Sequence, residues 1–173
     1  MKLICGELEA LGGYVQRNPK LRIAKFTQHH VEALGEHARK TPLEYMLHIF
    51  PQEKVETMRP QLARYGIPAE LAEQEIRTLS GGQKSRVSFA AITFTRPHIL
   101  ALDEPTNHLD LETVEALSLA CSQFNGGIIL ISHDQHFVST CGEEFWVVKD
   151  RKVVQFKGTF DEYKRKMAKE MKL

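Results

Sequence analysis

Two short, uninterrupted aliphatic runs constrain the fold of this chain more than any other feature. Ile99–Leu102 and Ile128–Ile131 are typical of strands that are buried on both faces of a sheet. Between them, apolar residues recur at intervals of three and four from Val114 to Phe124, which predicts a helix that Asp110 can cap. A strand, a helix and a strand at this spacing predict a βαβ crossover and therefore a parallel sheet.

The region before the first run is predicted to be mostly helical over residues 41–95. Thr41 can cap a helix that has proline in its first position and glutamate in its third. Pro60 falls within a later helical pattern, so it should kink that helix or restart it. Nearer the start, Tyr14-Val15 and Leu21–Phe26 stand between glycine and proline turns and suggest a two-stranded edge unit.

After the second run, Phe145–Val148 and Val153–Phe156 predict a β-hairpin, and a charged helix is predicted over about residues 159–170. The predicted fold class is therefore α/β. A helical insertion over 41–95 precedes a core over 98–156, and a charged C-terminal helix occupies 157–173. We treat the 173 residues as one domain.

Charge and composition exclude several classes of function. The 23 Lys and Arg residues nearly balance 22 Asp and Glu residues, so no overall field attracts nucleic acid. No apolar run approaches the roughly 20 residues of a membrane-spanning helix, and we expect a cytoplasmic protein. Cys5, Cys121 and Cys141 are odd in number and far apart in sequence. This spacing argues against a disulfide framework or a zinc site and predicts reduced core thiols.

Asp103 and Glu104 follow the first aliphatic run directly. They should therefore lie at the carboxyl edge of a parallel sheet, where open α/β folds bind ligands. Adjacent carboxylates point in different directions, so one can hold a metal ion through water while the other acts as a base.

A second chemical motif opens the last helix of the 41–95 region. Leu79 is followed by Ser80, Gly81, Gly82 and Gln83, a capping pattern that includes paired glycines. A helix N-terminus with free N–H groups and a serine hydroxyl suits a terminal phosphate.

In this order the motifs resemble the ATP-binding cassette (ABC) ATPases. Leu79–Gln83 looks like their signature motif, and Ile99–Glu104 looks like their Walker B strand. Asn107–Asp110 resembles the D-loop. The Asp103–Asp110, Ser132–Asp134 and Phe156–Tyr163 stretches look like the ABC-F group, whose members are soluble twin-cassette proteins acting in translation.

The resemblance implies roles for individual residues. Glu104 would be the general base and His133 the switch histidine, while Asp103 and Gln28 would serve Mg²⁺. Gln28 would also sense the γ-phosphate of ATP. Ser80, Gly81, Gly82 and Gln83 would grip the ATP held by a second cassette, and Asp110 would also bind nucleotide. The ribosome is the implied partner, with a possible RNA contact through Lys164, Arg165 and Lys166.

The family's Gly-x-x-x-x-Gly-Lys-Ser/Thr phosphate loop does not occur in this sequence, since Lys84-Ser85 lies inside the signature helix. Lys2–Leu8 resembles the helix that follows that loop. The resemblance thus implies a fragment, a wrongly assigned start or a genuine short form, and we expect little activity from these residues alone. The alternatives are an ATPase subunit of a membrane transporter and a non-catalytic binding module.

Overall fold

The computed structural model describes residues 1–107 and 109–170, although not the side chains of residues 28, 29 and 112. Its central sheet contains β1 (Ile23–Phe26), β2 (Ile99–Asp103) and β3 (Gly127–Ile131) in the order β1-β2-β3. Both pairings are parallel, with Phe26 beside Leu102 and Asp103 beside Ile131. The three strands therefore end at one edge, and the predicted α/β class with a parallel sheet is confirmed.

Helices occupy most of the remaining described chain. The α-helices are α1 (Lys2–Cys5), α2 (Gln28–Ala33), α3 (Pro42–Ile49), α4 (Val55–Arg64), α5 (Ala69–Ala72), α6 (Gly81–Phe94), α7 (Leu111–Ser122), α8 (Gln135–Cys141) and α9 (Phe160–Glu170). Short 3-10 helices span Leu34–His37 and Ile76–Thr78.

The helices between residues 41 and 95 form where local sequence predicts them. Thr41 and Glu44 make the predicted capping box, with Thr41 Oγ1 accepting from Glu44 N at 3.1 Å and Glu44 Oε2 accepting from Thr41 N at 2.9 Å. Helix α4 runs through Pro60 without restarting. Helix α6 links this region to the sheet, because Phe89 packs edge-on against both Phe26 and Tyr65.

Two predictions about strands are wrong. Tyr14 and Val15 are exposed and belong to no strand, while residues 23–26 pair in parallel with β2 rather than in a local edge unit. The prediction that both aliphatic runs are buried on both faces holds for β2 alone. In β3, Ile131 is 43% exposed, because β3 lies at the end of the three-stranded sheet.

The predicted hairpin is present as β4 (Phe145–Lys149) and β5 (Lys152–Phe156), joined by a turn at Asp150 and Arg151. Both turn residues have positive φ, the conformation of a two-residue hairpin turn that matches strand twist. The aromatic residues of α9 pack against this hairpin. No helix within the part of the chain that the structure describes is long and apolar enough to cross a membrane.

Candidate functional site

Glu104 and His133 are brought together at the carboxyl edge of the sheet. Glu104 directly follows β2, and His133 lies two residues beyond β3. Glu104 Oε1 is 3.2 Å from His133 Nε2, and Glu104 Oε2 accepts a hydrogen bond from His133 N at 3.2 Å. The Glu104 carboxylate therefore contacts both the backbone and the ring of His133.

The backbone of Glu104 is in an unusual conformation. Its φ of 50° lies in the left-handed region, which costs a residue with a side chain about 1–3 kcal/mol. Two hydrogen bonds hold the turn: Glu104 N donates to Ile131 O at 2.8 Å, and Glu104 O accepts from Asn107 N at 3.4 Å. Such outliers concentrate at functional sites, and here the conformation turns the chain sharply after β2.

The carboxylate and the imidazole differ in exposure. The Glu104 side chain is 22% exposed, whereas that of His133 is 94% exposed. The loops that carry them are joined by a contact of 3.2 Å between Thr106 Oγ1 and Ser132 Oγ. Ser132 Oγ also accepts from Asp134 N at 3.0 Å. Sequence reasoning missed this contact, since nothing in the spacing shows that the two hydroxyls meet.

Asp103 provides a partly buried carboxylate beside this pair. Within the described ranges, no group of three or more His, Cys, Asp or Glu side chains could hold a metal ion. Mg²⁺, however, is usually held by one or two carboxylates together with water and substrate phosphates. The donor set at Asp103 fits that mode of binding and not an all-protein metal cage.

A lysine that sequence analysis did not single out lies near Asp103. The Nζ of Lys25, in β1, is 3.0 Å from both carboxylate oxygens of Glu7. This hydrogen bond raises the pKa of Lys25, and the negative charge of Asp103 adds to the effect. The edge of the sheet therefore combines a cation with the Asp103 and Glu104 carboxylates.

Gln28, which by resemblance to the Q-loop glutamine was expected to close a strand, instead begins α2 two residues beyond β1. The side chain of Gln28 lies outside the described part of the chain. Thr27 is the N-cap of α2 and forms a capping box with His30, whose Nδ1 is 3.1 Å from Thr27 Oγ1. His30 also stacks on Phe26, with 6.3 Å between the ring centroids.

The Ser80–Gln83 turn has the capping-box geometry that the sequence predicts. Gln83 N donates to Ser80 Oγ at 3.2 Å, and Ser80 N donates to Gln83 Oε1 at 2.9 Å. Ser80 and Gly81 are exposed, so the start of the 14-residue helix α6 faces outward. Among the described residues, no hydrogen bond joins this turn to Glu104 or His133.

The two glycines of the turn differ in their surroundings. A Cβ built on Gly81 meets nothing within 4 Å, whereas one on Gly82 would lie 1.9 Å from Thr113 Oγ1. Thr113, in α7, is buried, and its N donates to Asp110 Oδ1 at 2.8 Å. Gly82 thus allows α6 to approach the residue that Asp110 caps.

Asp110 begins α7 as its N-cap, which confirms the cap that the sequence predicts. Hydrogen bonds from the Thr113 side chain and backbone lower the pKa of Asp110. The positive charge of Arg86 acts in the same direction. His108, the neighbouring residue of the predicted D-loop, lies outside the described residues.

Comparison with known proteins gives a consistent result. The family model described as "ABC transporter" matches residues 1–107. ABC transporter F family member 3 of Arabidopsis thaliana is 48% identical over 95% of this chain. ATP-binding cassette sub-family F member 3 of Homo sapiens is 44% identical, also over 95% of the chain. The chain spans 23% of the length of each of these relatives.

Two solved structures share the fold. One, an inward-facing conformation of a metal-chelate type ABC transporter, has a TM-score of 0.66 at 17% identity, covering 90% of this chain and 65% of that chain. The other is the dimeric, post-hydrolysis state of an ATP-binding cassette bound to ADP and Pi. It has a TM-score of 0.60 at 21% identity and covers 80% of this chain and 64% of that chain.

Proposed function

Because the chain belongs to the ABC transporter family of ATP-binding cassettes, we propose that Glu104 and His133 serve ATP hydrolysis in a protein with paired cassettes. The observation that carries this proposal is the 3.2 Å contact between Glu104 Oε1 and His133 Nε2 at the carboxyl edge of the sheet. A base in such a site must be held in place before the substrate arrives, and the left-handed turn at Glu104 supports that requirement.

In the proposed reaction Glu104 accepts a proton from the attacking water, and His133 faces the terminal phosphate. Asp103 and Gln28 serve Mg²⁺, which when bound would neutralise charge on the phosphates. The exposure of His133 leaves its ring accessible to a phosphate that another part of the protein holds. Residues 41–95 act as the helical subdomain in this proposal, and residues 98–156 as the core.

The Ser80–Gln83 turn and Asp110 act on the nucleotide of the second cassette in this proposal. The outward-facing start of α6 and the open space around Gly81 support that role for the turn. Within the described part of the chain, no hydrogen bond joins the Ser80–Gln83 turn to Glu104, which agrees with a turn that contacts a second cassette instead. Ser80→Arg should block closure of the two cassettes, because the larger side chain fills the space that the partner's γ-phosphate needs.

ATP hydrolysis can be tested in a chimera in which this chain replaces the matching segment of the Arabidopsis relative, called the exchanged protein below. Glu104→Gln should retain ATP binding and stop turnover, because the amide keeps the shape of the carboxylate but cannot act as a base. Glu115→Gln is the matched control, since Glu115 is an exposed acid on α7. Wild-type turnover by Glu104→Gln would refute the assignment of the base.

We further propose that the paired cassettes act on ribosomes. Support comes from the resemblance to the ABC-F group and from the run of basic residues on α9, Lys164, Arg165 and Lys166. The exposed Arg165 and Lys166 are the more available cations, because Lys164 is half-buried and its Nζ is 3.1 Å from Asp161. Lys166 is exposed although its Nζ lies 5.9 Å from the Phe156 ring centroid.

Co-sedimentation separates this proposal from the transporter alternative. The exchanged protein with Glu104→Gln and ATP should sediment with ribosomes, and the association should weaken steeply as salt rises. Neutralising Lys164, Arg165 and Lys166 together should reduce the salt slope if α9 touches RNA. Sedimentation with membranes that survives high salt would refute the ribosome proposal and favour a transporter subunit.

A further inference from the structure

Two hydroxyl side chains join the loops that carry Glu104 and His133. Thr106 lies two residues after Glu104, and Ser132 lies directly before His133. Thr106 Oγ1 is 3.2 Å from Ser132 Oγ, which is within hydrogen-bond distance. Each hydroxyl can donate and accept, so this contact, called the hydroxyl pair below, forms whichever of the two groups donates.

Ser132 shapes the turn that carries His133. Its Oγ accepts a hydrogen bond from Asp134 N at 3.0 Å, so one side chain links the positions on both sides of His133. Asp134 is also the N-cap of α8, where its Oδ1 accepts from Phe137 N at 2.9 Å, and Phe137 is fully buried. The turn at His133 is therefore held to the core through the start of α8.

Thr106 belongs to a turn that is held in the same way. Thr106 is 9% exposed, and its backbone O accepts from Leu109 N at 3.2 Å. Glu104 O accepts from Asn107 N at 3.4 Å in the same turn. A hydrogen bond that is shielded from water is electrostatically stronger than one in solvent. The hydroxyl pair thus connects two turns whose backbones are themselves hydrogen-bonded.

The position of His133 needs this support. Its side chain is 94% exposed, so packing does not hold the ring, and its two contacts with Glu104 are both 3.2 Å long. The ladder between β2 and β3 ends where Glu104 N donates to Ile131 O at 2.8 Å. Beyond that point the hydroxyl pair links the two loops a second time. Such a link matters because a misplacement of about 1 Å can cost a catalytic group about 10²-fold in rate.

We propose that Thr106 and Ser132 are positioning residues for ATP hydrolysis, because the hydroxyl pair sets the spacing between Glu104 and His133 before a nucleotide binds. This inference rests on the function proposed above for Glu104 and His133. The hydroxyl pair acts through the backbones of the two loops and makes no contact with ATP. Its removal should therefore reduce kcat and leave KM for ATP unchanged.

The activity test uses the exchanged protein. Thr106→Val keeps the shape of the side chain but removes the hydroxyl, and it should reduce kcat about 10-fold with an unchanged KM for ATP. Thr106→Ser retains the hydroxyl and should keep most of kcat. Thr93→Val is the matched control and should leave kcat unchanged, since it removes a buried hydroxyl that donates to Phe89 O at 2.8 Å within α6. A higher KM without a loss of kcat, or an equal loss of kcat in Thr93→Val, would overturn the proposal.

A double variant tests whether the two hydroxyls act through one contact. Ser132→Ala should also reduce kcat, because it removes the hydroxyl pair together with the contact to Asp134 N. Adding Thr106→Val to Ser132→Ala should cause no further loss, since the contact is already absent. Losses of kcat that multiply in the double variant would show that the two hydroxyls act separately and would overturn the proposal.

Hydrogen exchange distinguishes a failure of this proposal from a failure of the proposed function. In the 173-residue chain the amide of His133 donates to Glu104 Oε2. Thr106→Val should raise the exchange rate of that amide, measured by NMR spectroscopy, whereas Thr106→Ser and Thr93→Val should not. Unchanged exchange at His133 in Thr106→Val would overturn the positioning role alone. Wild-type turnover of the exchanged protein with Glu104→Gln would instead refute the proposed function.

Discussion

Gly81 and Gly82 are neighbours in α6 but meet different surroundings. The Cα of Gly81 faces open space, whereas that of Gly82 faces the buried side chain of Thr113. The paired glycines therefore serve two purposes. One leaves the start of the helix accessible, and the other allows α6 to approach α7 at the residue that hydrogen-bonds Asp110.

Gly82→Ala should destabilise the chain by about 1–3 kcal/mol, because its Cβ would overlap Thr113 Oγ1. Gly81→Ala is the matched control and should be neutral or slightly stabilising, since alanine favours helix and the site is open. Adding Thr113→Ala to Gly82→Ala should recover part of the loss. Urea unfolding of these three variants and the wild-type chain measures the differences, and equal effects of the two glycine changes would contradict the packing role.

The residues of the candidate site were predictable in type but not in arrangement. The sequence places Glu104 and His133 at the ends of two parallel strands, and parallel strand ends share an edge. It does not give the φ of 50° at Glu104 or the double contact with His133, since both depend on strand register and on the hydrogen bond from Glu104 N to Ile131 O.

The N-cap of α7, Asp110, makes the stability of this helix depend on the charge of one carboxylate. The Asp110 carboxylate accepts hydrogen bonds from Thr113, and these bonds favour the ionised form. A carboxyl group whose pKa is lower in the folded than in the unfolded state stabilises the fold at pH values above the unfolded-state pKa. That stabilisation is lost as pH falls through the folded-state pKa.

Asp110→Asn should therefore lower the unfolding temperature at neutral pH, because the amide can still cap the helix but carries no charge. The difference from the wild-type chain should shrink as pH falls below 3.8, the ordinary pKa of the carboxyl, and vanish once Asp110 is protonated. Thermal unfolding of both chains across that pH range measures the effect. A difference that stays constant with pH would contradict it.

Local signals predicted the helices, the parallel pairing of β2 with β3 and the β4–β5 hairpin, but not the pairing of β1. The caps at Thr41, Ser80 and Asp110 all formed, since a capping box depends on residues within one turn. The edge unit proposed for Tyr14-Val15 did not form, because residues 23–26 pair instead with a strand more than seventy residues away. No local sequence pattern in either segment indicates that pairing.

The described part of the chain combines a sheet edge that carries Glu104 and His133 with the outward-facing start of α6. Its 173 residues include no Gly-x-x-x-x-Gly-Lys-Ser/Thr loop, the element that cradles the β- and γ-phosphates in P-loop ATPases. The 173-residue chain by itself should therefore bind MgATP weakly, if at all, and show no ATP turnover above background. Calorimetric titration tests this prediction, and micromolar affinity would contradict it.

We propose that Glu104 and His133 act as one unit in ATP hydrolysis. Steady-state turnover of the exchanged Arabidopsis relative carrying Glu104→Gln, His133→Ala, both changes or neither tests this directly. Each single change should reduce kcat by about 10²-fold or more, and the double variant should be no slower than the slower single variant, because residues that act together are not additive. Turnover at the wild-type rate with Glu104→Gln, or losses that multiply in the double variant, would contradict the joint role of the two residues.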